Sequence, residues 1–318
     1  SIEVVISDAT TDSKYKKSIL NIIKKNNKAT YVHNIIEGVF SASKSRNYGA
    51  KYSSSKYLIF FDVDLLINEK IIKQFYIDKE KINKNEMKFS IYPCLYLSEY
   101  YTNYLSKKEK ITQKDFDLAN TTYQKGSNQH VLYNAINTST ILVTKETFFS
   151  IEGFSESFIG HGYEDFELIH RLFIFENKQA IGKDYFEDYK TPFIAKYRGF
   201  RRYFLVKTLP MYLKGCFTLH MYHPRPLGKP YYKKRTENSE HFISTIRKSV
   251  NYSSLALSES LSLNEFSSEF IGFYCLTKDF YKGKNVFLRK LKKLCRNPIQ
   301  FFKDSVKTKD SATPLNKH

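Results

Sequence analysis

Two carboxylates flank a single valine at Asp62-Val63-Asp64, at the end of the apolar run Tyr57–Phe61. Two acids so placed cannot both lose water unless a cation meets them. Hard carboxylate oxygens suit Mn²⁺ or Mg²⁺, and a divalent ion of this kind also binds a nucleotide diphosphate. The competing reading is an ordinary acidic turn after a strand. Sixteen residues upstream of Asp62 lies Arg46, within Ala42-Ser43-Lys44-Ser45-Arg46-Asn47-Tyr48-Gly49-Ala50. At a helix start near the same edge, its guanidinium would offer a bidentate contact to an anion. On a solvated helix face it would do nothing of the sort. A second acidic pair, Glu164-Asp165, follows the glycine-punctuated stretch 153–162 and opens an apolar-striped segment. As helix-start acids these two would at least complement the helix dipole.

The elements that must position these groups follow from hydrophobic period. Ile2–Ile6 is a short β-branched run closed by a turn cluster, and Lys14–Asn26 carries Ile19, Leu20, Ile22 and Ile23 at helical spacing. Tyr31–Ile36 and Tyr57–Phe61 read as strands, with a helix over Ala42–Ser53 between them. Strand alternating with helix predicts an α/β layer with a mostly parallel, Rossmann-like central sheet. Ligands of such sheets collect at the carboxyl ends of strands, where Asp8, Asp62 and Asp64 all fall. Residues 98–130 are polar, rich in Lys and Tyr and poorly periodic, and read as an excursion over the active face. Asn137–Val143 resumes strand character, Lys145–Ile151 and Glu164–Phe175 read as helices, and Thr218–His223 as a strand before Pro224-Arg225-Pro226. Beyond Glu237 the α/β rhythm stops, and the helical patterns Ser239–Val250 and Leu261–Leu276 follow. These divide the chain into a catalytic domain, residues 1–236, and a helical extension, residues 237–318.

The series VVISDATTD, ASKSRNYGA and YLIFFDVD resembles the nucleotide-binding half of family-2 glycosyltransferases with the GT-A fold. That resemblance implies that Asp8 contacts uracil, that the helix with Arg46 packs beneath the sugar nucleotide, and that Asp62 and Asp64 touch ribose and metal. The family pattern places a further strand and helix ahead of this point, so a preceding N-terminal piece is expected before Ser1. The segment NTSTILVTKETFFSIEGFSESFIGHGYEDFEL, residues 137–168, resembles the catalytic segment of β-1,4-galactosyltransferases and bacterial chondroitin-type capsule polymerases. Gly160, Gly162, Glu164 and Asp165 match its G-x-G-x-E-D loop. The resemblance implies an inverting transfer in which Asp165 is the base, with Gly162, Tyr163 and Glu164 binding the acceptor. It further implies a returning histidine on the metal, with His223 first and His220 in reserve. His161 stands where the family often carries a Trp over the acceptor sugar, and this chain has no Trp. A retaining polypeptide N-acetylgalactosaminyltransferase would want a histidine at position 64, which is aspartate here.

Composition sets the outer limits. The chain has 318 residues, 42% of them hydrophobic and 16% aromatic, which is too apolar for a disordered chain. No uninterrupted apolar run reaches the roughly 18 residues of a helical membrane span. Four scattered cysteines without a CxxC pair argue against a zinc ribbon or disulfide scaffold, and suit a reducing compartment. The net charge of +19 points to a polyanionic neighbour, and much of it lies near the end. Between Lys282 and Lys309 there are ten basic residues and a single acid, Asp304, with Phe287, Leu288, Leu291 and Leu294 at helical spacing. A basic amphipathic helix over 283–309 suits an anionic membrane surface. No recognised nucleic-acid-binding fold accompanies it, so no nucleic-acid partner is expected. The expectation is therefore a metal-dependent hexosyltransferase of bacterial capsule or surface-polysaccharide synthesis. It would be cytoplasmic and peripheral at the inner face of the cell membrane, with a UDP-sugar donor and a saccharide acceptor. The rival outside enzymology is an inactive GT-A scaffold serving as a basic membrane- or nucleic-acid-binding protein.

Overall fold

The structure is a computed structural model that describes residues 2–9, 12–25, 28–125, 127–135, 139–176, 181–190 and 197–249. The chain opens with strand β1 (Val4–Asp8), helix α1 (Ser13–Ile23), strand β2 (Ala29–His33) and helix α2 (Ala42–Tyr52). β3 (Tyr57–Ile59) and β4 (Leu65–Leu66) bracket the Asp62-Val63-Asp64 turn, and α3 (Glu69–Asn83) follows. Next come β5 (Phe89–Ile91), β6 (Cys94–Leu97), α4 (Glu99–Ser106), α5 (Gln113–Gln124), β7 (Val131–Ala135) and β8 (Ile141–Thr144). Helices α6 (Lys145–Ser150) and α7 (Glu164–Glu176) enclose the glycine-rich loop. A short 3₁₀ turn, Lys183–Phe186, precedes β9 (Asp188–Tyr189) and β10 (Arg198–Gly199). The described chain ends with α8 (Phe200–Leu213), β11 (Thr218–His220), α9 (Pro230–Lys233) and α10 (Arg235–Ser249).

The α/β class is as expected, but the strands among the described residues form four small sheets whose pairings are mixed rather than mostly parallel. Among the described residues, β1 with β2 and β6 with β11 are the parallel pairs. The ladders β3–β8, β5–β8, β4–β11, β6–β7 and β9–β10 are antiparallel. The region 98–130 is a second correction, since it holds α4 and α5. Each starts on a side-chain cap: Ser98 accepts from the Tyr101 N–H at 3.1 Å, and Thr112 and Asp115 form a capping box. Their buried Tyr101, Leu105, Phe116 and Ala119 pack with Leu95, Leu97 and Leu219 in one core cluster.

The larger core joins Phe60, Phe148, Phe154, Phe166, Phe200 and Phe204 to Phe242 and Ile246 of α10. The boundary expected at 236 therefore cuts into the first turn of α10, a helix whose apolar face belongs to the catalytic core. Buried His170 of α7 adds a polar link, with its ring nitrogens 2.8 Å from the hydroxyls of Tyr185 and of Ser249 in α10. The expected helix Leu261–Leu276 and the basic tail lie outside the described residues. Among the described residues, no helix is long and apolar enough to cross a membrane.

Candidate active site

The segment from β3 to β4 delivers Asp62 and Asp64 to one rim, with Val63 fully exposed between them. β11 pairs with β4 so that His220 lies opposite Leu65, and the Met221 N–H donates to the Asp64 carbonyl at 2.9 Å. That register brings His220 and His223 together on the Asp64 side chain, with His220 Nε2 at 3.1 Å and His223 Nε2 at 3.2 Å from Oδ2. The three ligand atoms lie within 4.8 Å of one another. Asp64 Oδ1 is buried with no hydrogen-bond partner.

The tautomers can be read from the opposite ring nitrogens. His220 Nδ1 sits 2.7 Å from the Met221 carbonyl oxygen and His223 Nδ1 3.2 Å from that of Pro224. A carbonyl only accepts, so Nδ1 is the donor in both rings, and in a neutral ring the Nε2 lone pair then faces Asp64. Burial lowers the pKa of His220, more than the Asp64 charge raises it, and so favours its neutral form. Three acceptor atoms converging without a proton between them is an arrangement that a divalent cation satisfies. The residues fit a metal, and the geometry brings His220 as well as His223 to Asp64.

The second cluster forms around Arg46 on α2. Ser41 caps this helix, accepting from the Lys44 N–H at 3.3 Å, and Gly49 lets it lie close on β1, where a Cβ would stand 3.1 Å from that of Ser7. Arg46 Nη2 donates to Asp62 Oδ1 at 2.6 Å and Nη1 to Glu164 Oε1 at 3.2 Å. The expected bidentate contact to a diphosphate is thus not how this guanidinium is arranged. Its side chain is 14% exposed, and its fork joins two carboxylates from distant parts of the chain. Burial alone would lower its pKa, but Asp62 and Glu164 together drive it well above the usual arginine range. Ser139, which sequence reasoning passed over, donates to Asp62 Oδ2 at 3.0 Å. Burial tends to raise the Asp62 pKa, yet Arg46, this hydroxyl and the His220 ring hold it below the usual carboxylate range. Removing Arg46 would strand the buried Glu164, while the 43% exposed Asp62 side chain keeps water, so Arg46→Ala should cost about 1–3 kcal/mol of stability. Urea unfolding checks this, and a loss within about 1 kcal/mol would show that the bridge carries little.

The loop before α7 aims the remaining acids. Gly160, Tyr163 and Gly162 take φ of 78°, 76° and 91°, so a bulky aromatic holds a left-handed backbone beside two glycines. Tyr163 is pinned there by its hydroxyl, which donates to Asp188 at 2.7 Å, and by the edge of Phe166 at 5.6 Å. Helix α7 then begins at Glu164, with Glu164, Asp165 and Glu167 in its first turn and Phe166, Ile169, Leu172 and Phe173 buried. Asn47 locks loop to helix, donating to the Phe154 carbonyl and accepting from the Phe154 N–H, both at 2.8 Å. Glu164 is buried with Oε2 unpartnered, and burial followed by the Asp165 charge raises its carboxyl to about 7. Asp165, open at one side, accepts from the Phe166 N–H at 2.9 Å. Burial raises its pKa despite the opposing pull of Arg46.

The turn between β3 and β4 supplies one acid to each cluster, Asp64 to the two histidines and Asp62 to the Arg46 guanidinium that also holds Glu164. Asp8 lies on the β1–β2 pair, where the Tyr31 hydroxyl donates to its Oδ2 at 2.8 Å. His161, at the place of the absent Trp, is flanked by Tyr231 and Tyr232 at ring distances of 5.6 and 5.2 Å. Burial and the charges of Arg235 and Arg225 hold the His161 pKa at about 4, leaving a neutral ring among aromatics. Only the backbone path through α9 could have revealed Tyr231 and Tyr232, because nothing in their spacing marks them.

Comparison with known proteins sets this geometry in a family. Residues 1–248 match the family described as "Glycosyltransferase like family 2". The chain belongs to that family. Its α/β architecture is the GT-A fold of a glycosyltransferase. No curated protein matches the sequence. Among solved structures, a similar one is that of GalNAc-T7 with UDP, GalNAc and Mn²⁺, at 10% identity and a TM-score of 0.36. That match covers 87% of this chain and 48% of the other, so the chain spans about half the length of that protein.

Proposed function

We propose that this glycosyltransferase is inverting and metal-dependent, moving a hexose or N-acetylhexosamine from a UDP-sugar to a saccharide acceptor in bacterial capsule or surface-polysaccharide synthesis. The observation that carries the reading is the turn between β3 and β4, which puts Asp64 in a two-histidine, one-carboxylate cluster and Asp62 on the arginine that also holds Glu164 at the start of α7. A divalent cation bound there would offset charge developing on the leaving diphosphate. Two imidazoles favour Mn²⁺ over Mg²⁺ at these three residues. Asp8 would contact the uracil, and Asp62 the ribose.

On the acceptor side, the open carboxylate of Asp165 takes the hydroxyl proton as the acceptor oxygen bonds to the anomeric carbon. The bond from that carbon to the diphosphate oxygen breaks, and its electron pair leaves with UDP. The unpartnered Oε2 of Glu164 accepts a hydrogen bond that orients the acceptor, while Gly162 and Tyr163 shape its seat. The test is UDP release from a panel of UDP-sugars with and without Mn²⁺, with product mass and anomeric configuration read by NMR. Retention at the anomeric centre, or turnover unaffected by chelators, would overturn the reading.

The tail over 283–309 is proposed to hold the enzyme at the anionic inner face of the cell membrane, from its charge and apolar spacing. Removing residues after Gly283 should abolish sedimentation with anionic liposomes and leave turnover of a soluble acceptor within about twofold. Equal sedimentation of both proteins would reject it.

A further inference from the structure

Opposite the acids stands a group of cations that the proposed reaction leaves unused. Tyr96 stacks on His220 at 4.1 Å and on Tyr133 at 4.5 Å, forming an aromatic shelf that leads away from Asp64. Arg225 rests over Tyr96 at 5.1 Å and Lys190 over Tyr133 at 5.5 Å. Arg235, the first residue of α10, lies over Tyr163 at 5.2 Å, and a Cβ on Gly162 would stand 2.6 Å from its Nη1. It therefore lies against the very loop that presents Glu164 and Asp165. Among the described residues none of these three cations forms an ion pair with a carboxylate.

Of the acids around them, Asp165 lies within the field of Arg235, and two others are already engaged. Asp188 is bound by Arg201 and by the Tyr163 hydroxyl, and Glu237 by Lys234 at 2.6 Å. Lys190 is open to solvent on one side and crowded on the other, where burial and the charges of Arg201 and Arg235 lower its ammonium to about 8. Cations so arranged repel one another, and a negative ligand relieves that repulsion. Arg225 shares its shelf with His220, on the side of the candidate cation site. Arg235 lies instead beside Gly162 and Tyr163, the residues proposed to seat the acceptor.

We propose that Arg235, assisted by Lys190, binds an oxyanion on the acceptor, so that the preferred acceptor is an acidic saccharide bearing a carboxylate or a phosphate near the hydroxyl that is glycosylated. The proposal rests on the transferase reading for its catalytic test, but its binding test stands apart from turnover. The protein charged with UDP and Mn²⁺ is titrated calorimetrically with three oligosaccharides alike except at one sugar, which is a hexuronate, a phosphohexose or a neutral hexose. One of the two acidic ligands should bind at least about tenfold more tightly than the neutral one, and which of them does so distinguishes carboxylate from phosphate. Arg235→Gln and Lys190→Gln should each shrink that preference, Arg235→Gln to within about twofold, and Arg235→Lys should restore part of it.

Equal binding of all three ligands by the unaltered protein would overturn the proposal. So would an Arg235→Gln protein that weakens UDP and the neutral ligand as much as the acidic one, since Arg235 would then serve the donor or the fold. Acidic preference that depends on Arg235 in a protein with no Mn²⁺-dependent transfer would uphold the anion site and overturn the transferase reading.

Discussion

Asp64→Ala should lower Mn²⁺-dependent turnover by about a thousandfold or more, while leaving the fold intact. The size follows from what Asp64 does. It contributes the sole carboxylate among the three convergent ligand atoms, and its Oδ1 is buried without another partner. Without it the two Nε2 lone pairs face one another across a site holding no negative charge, and a divalent cation loses its strongest attraction. His220→Ala and His223→Ala remove one neutral ligand each and should cost about ten- to a hundredfold in metal affinity. Folding should be spared, because the β4–β11 register is carried by main-chain bonds, including that from the Met221 N–H to the Asp64 carbonyl. Mn²⁺ binding is read by loss of the free-ion EPR signal, and turnover by UDP release. An Asp64→Ala enzyme that keeps Mn²⁺-dependent turnover within tenfold of the original would remove Asp64 from the metal site.

Strong local signals made part of this arrangement legible before any coordinates. Asp62-Val63-Asp64 ends an apolar run, and α7 begins with three acids above a regular apolar stripe, so both read directly from period and capping. Helix α8 did not, for a physical reason. Phe200, Tyr203, Phe204, Leu205, Leu209 and Tyr212 are buried around nearly its whole circumference, so no polar face marks a helical period. Pro210 in its last turns adds a false stop signal. Helix α5 failed in the opposite way, since only Asp115, Phe116 and Ala119 are buried in it and its polar residues dominate the pattern. The antiparallel pairings were hidden because strands such as β3 and β5 are three residues long, too short to show direction.

The same contrast holds within the site. Residue types identified Asp64, His220, His223, Glu164 and Asp165 as chemically competent, but not their pairings. Arg46 looked like an anion fork because arginine at a helix start usually faces water or phosphate. Its union with Asp62 and Glu164 joins residues 118 positions apart, which no local pattern records. Ser139 on Asp62 and Arg235 against Gly162 are of the same long-range kind. The bridge also has a mechanistic consequence: one buried guanidinium serves two acids, and a third, Asp165, lies within its field. Burial first, and then the like charges around this one guanidinium, raise the proton affinity of the Glu164–Asp165 pair, with Arg235 opposing part of the rise at Asp165.

That rise governs the second large effect. Asp165→Asn should reduce kcat by about a thousandfold or more with UDP affinity little changed, because the amide keeps the shape but takes no proton from the acceptor. The unaltered enzyme should show a telling pH profile. Burial and mutual repulsion raise both carboxyls, Glu164 to about 7, so the pair titrates as a unit above the usual carboxylate range. The base must be ionised, and burial raises the Asp165 carboxyl, so kcat/KM should begin to fall at a pH above the usual carboxylate range near 4. Glu164→Gln removes one of the two like charges, and the acidic limb should then move to lower pH even as acceptor affinity weakens. The stability consequence has the opposite sense. Because the folded carboxyl of Glu164 binds its proton more tightly than an ordinary glutamate near 4.5, its presence costs stability increasingly as pH rises from 4.5 through about 7. Glu164→Gln should therefore raise the melting temperature above pH 7 and have little effect near pH 4. A profile that stays flat down to about pH 4, together with Asp165→Asn turnover within tenfold of the original, would take the proton-accepting role away from this pair and leave the start of α7 a structural cap.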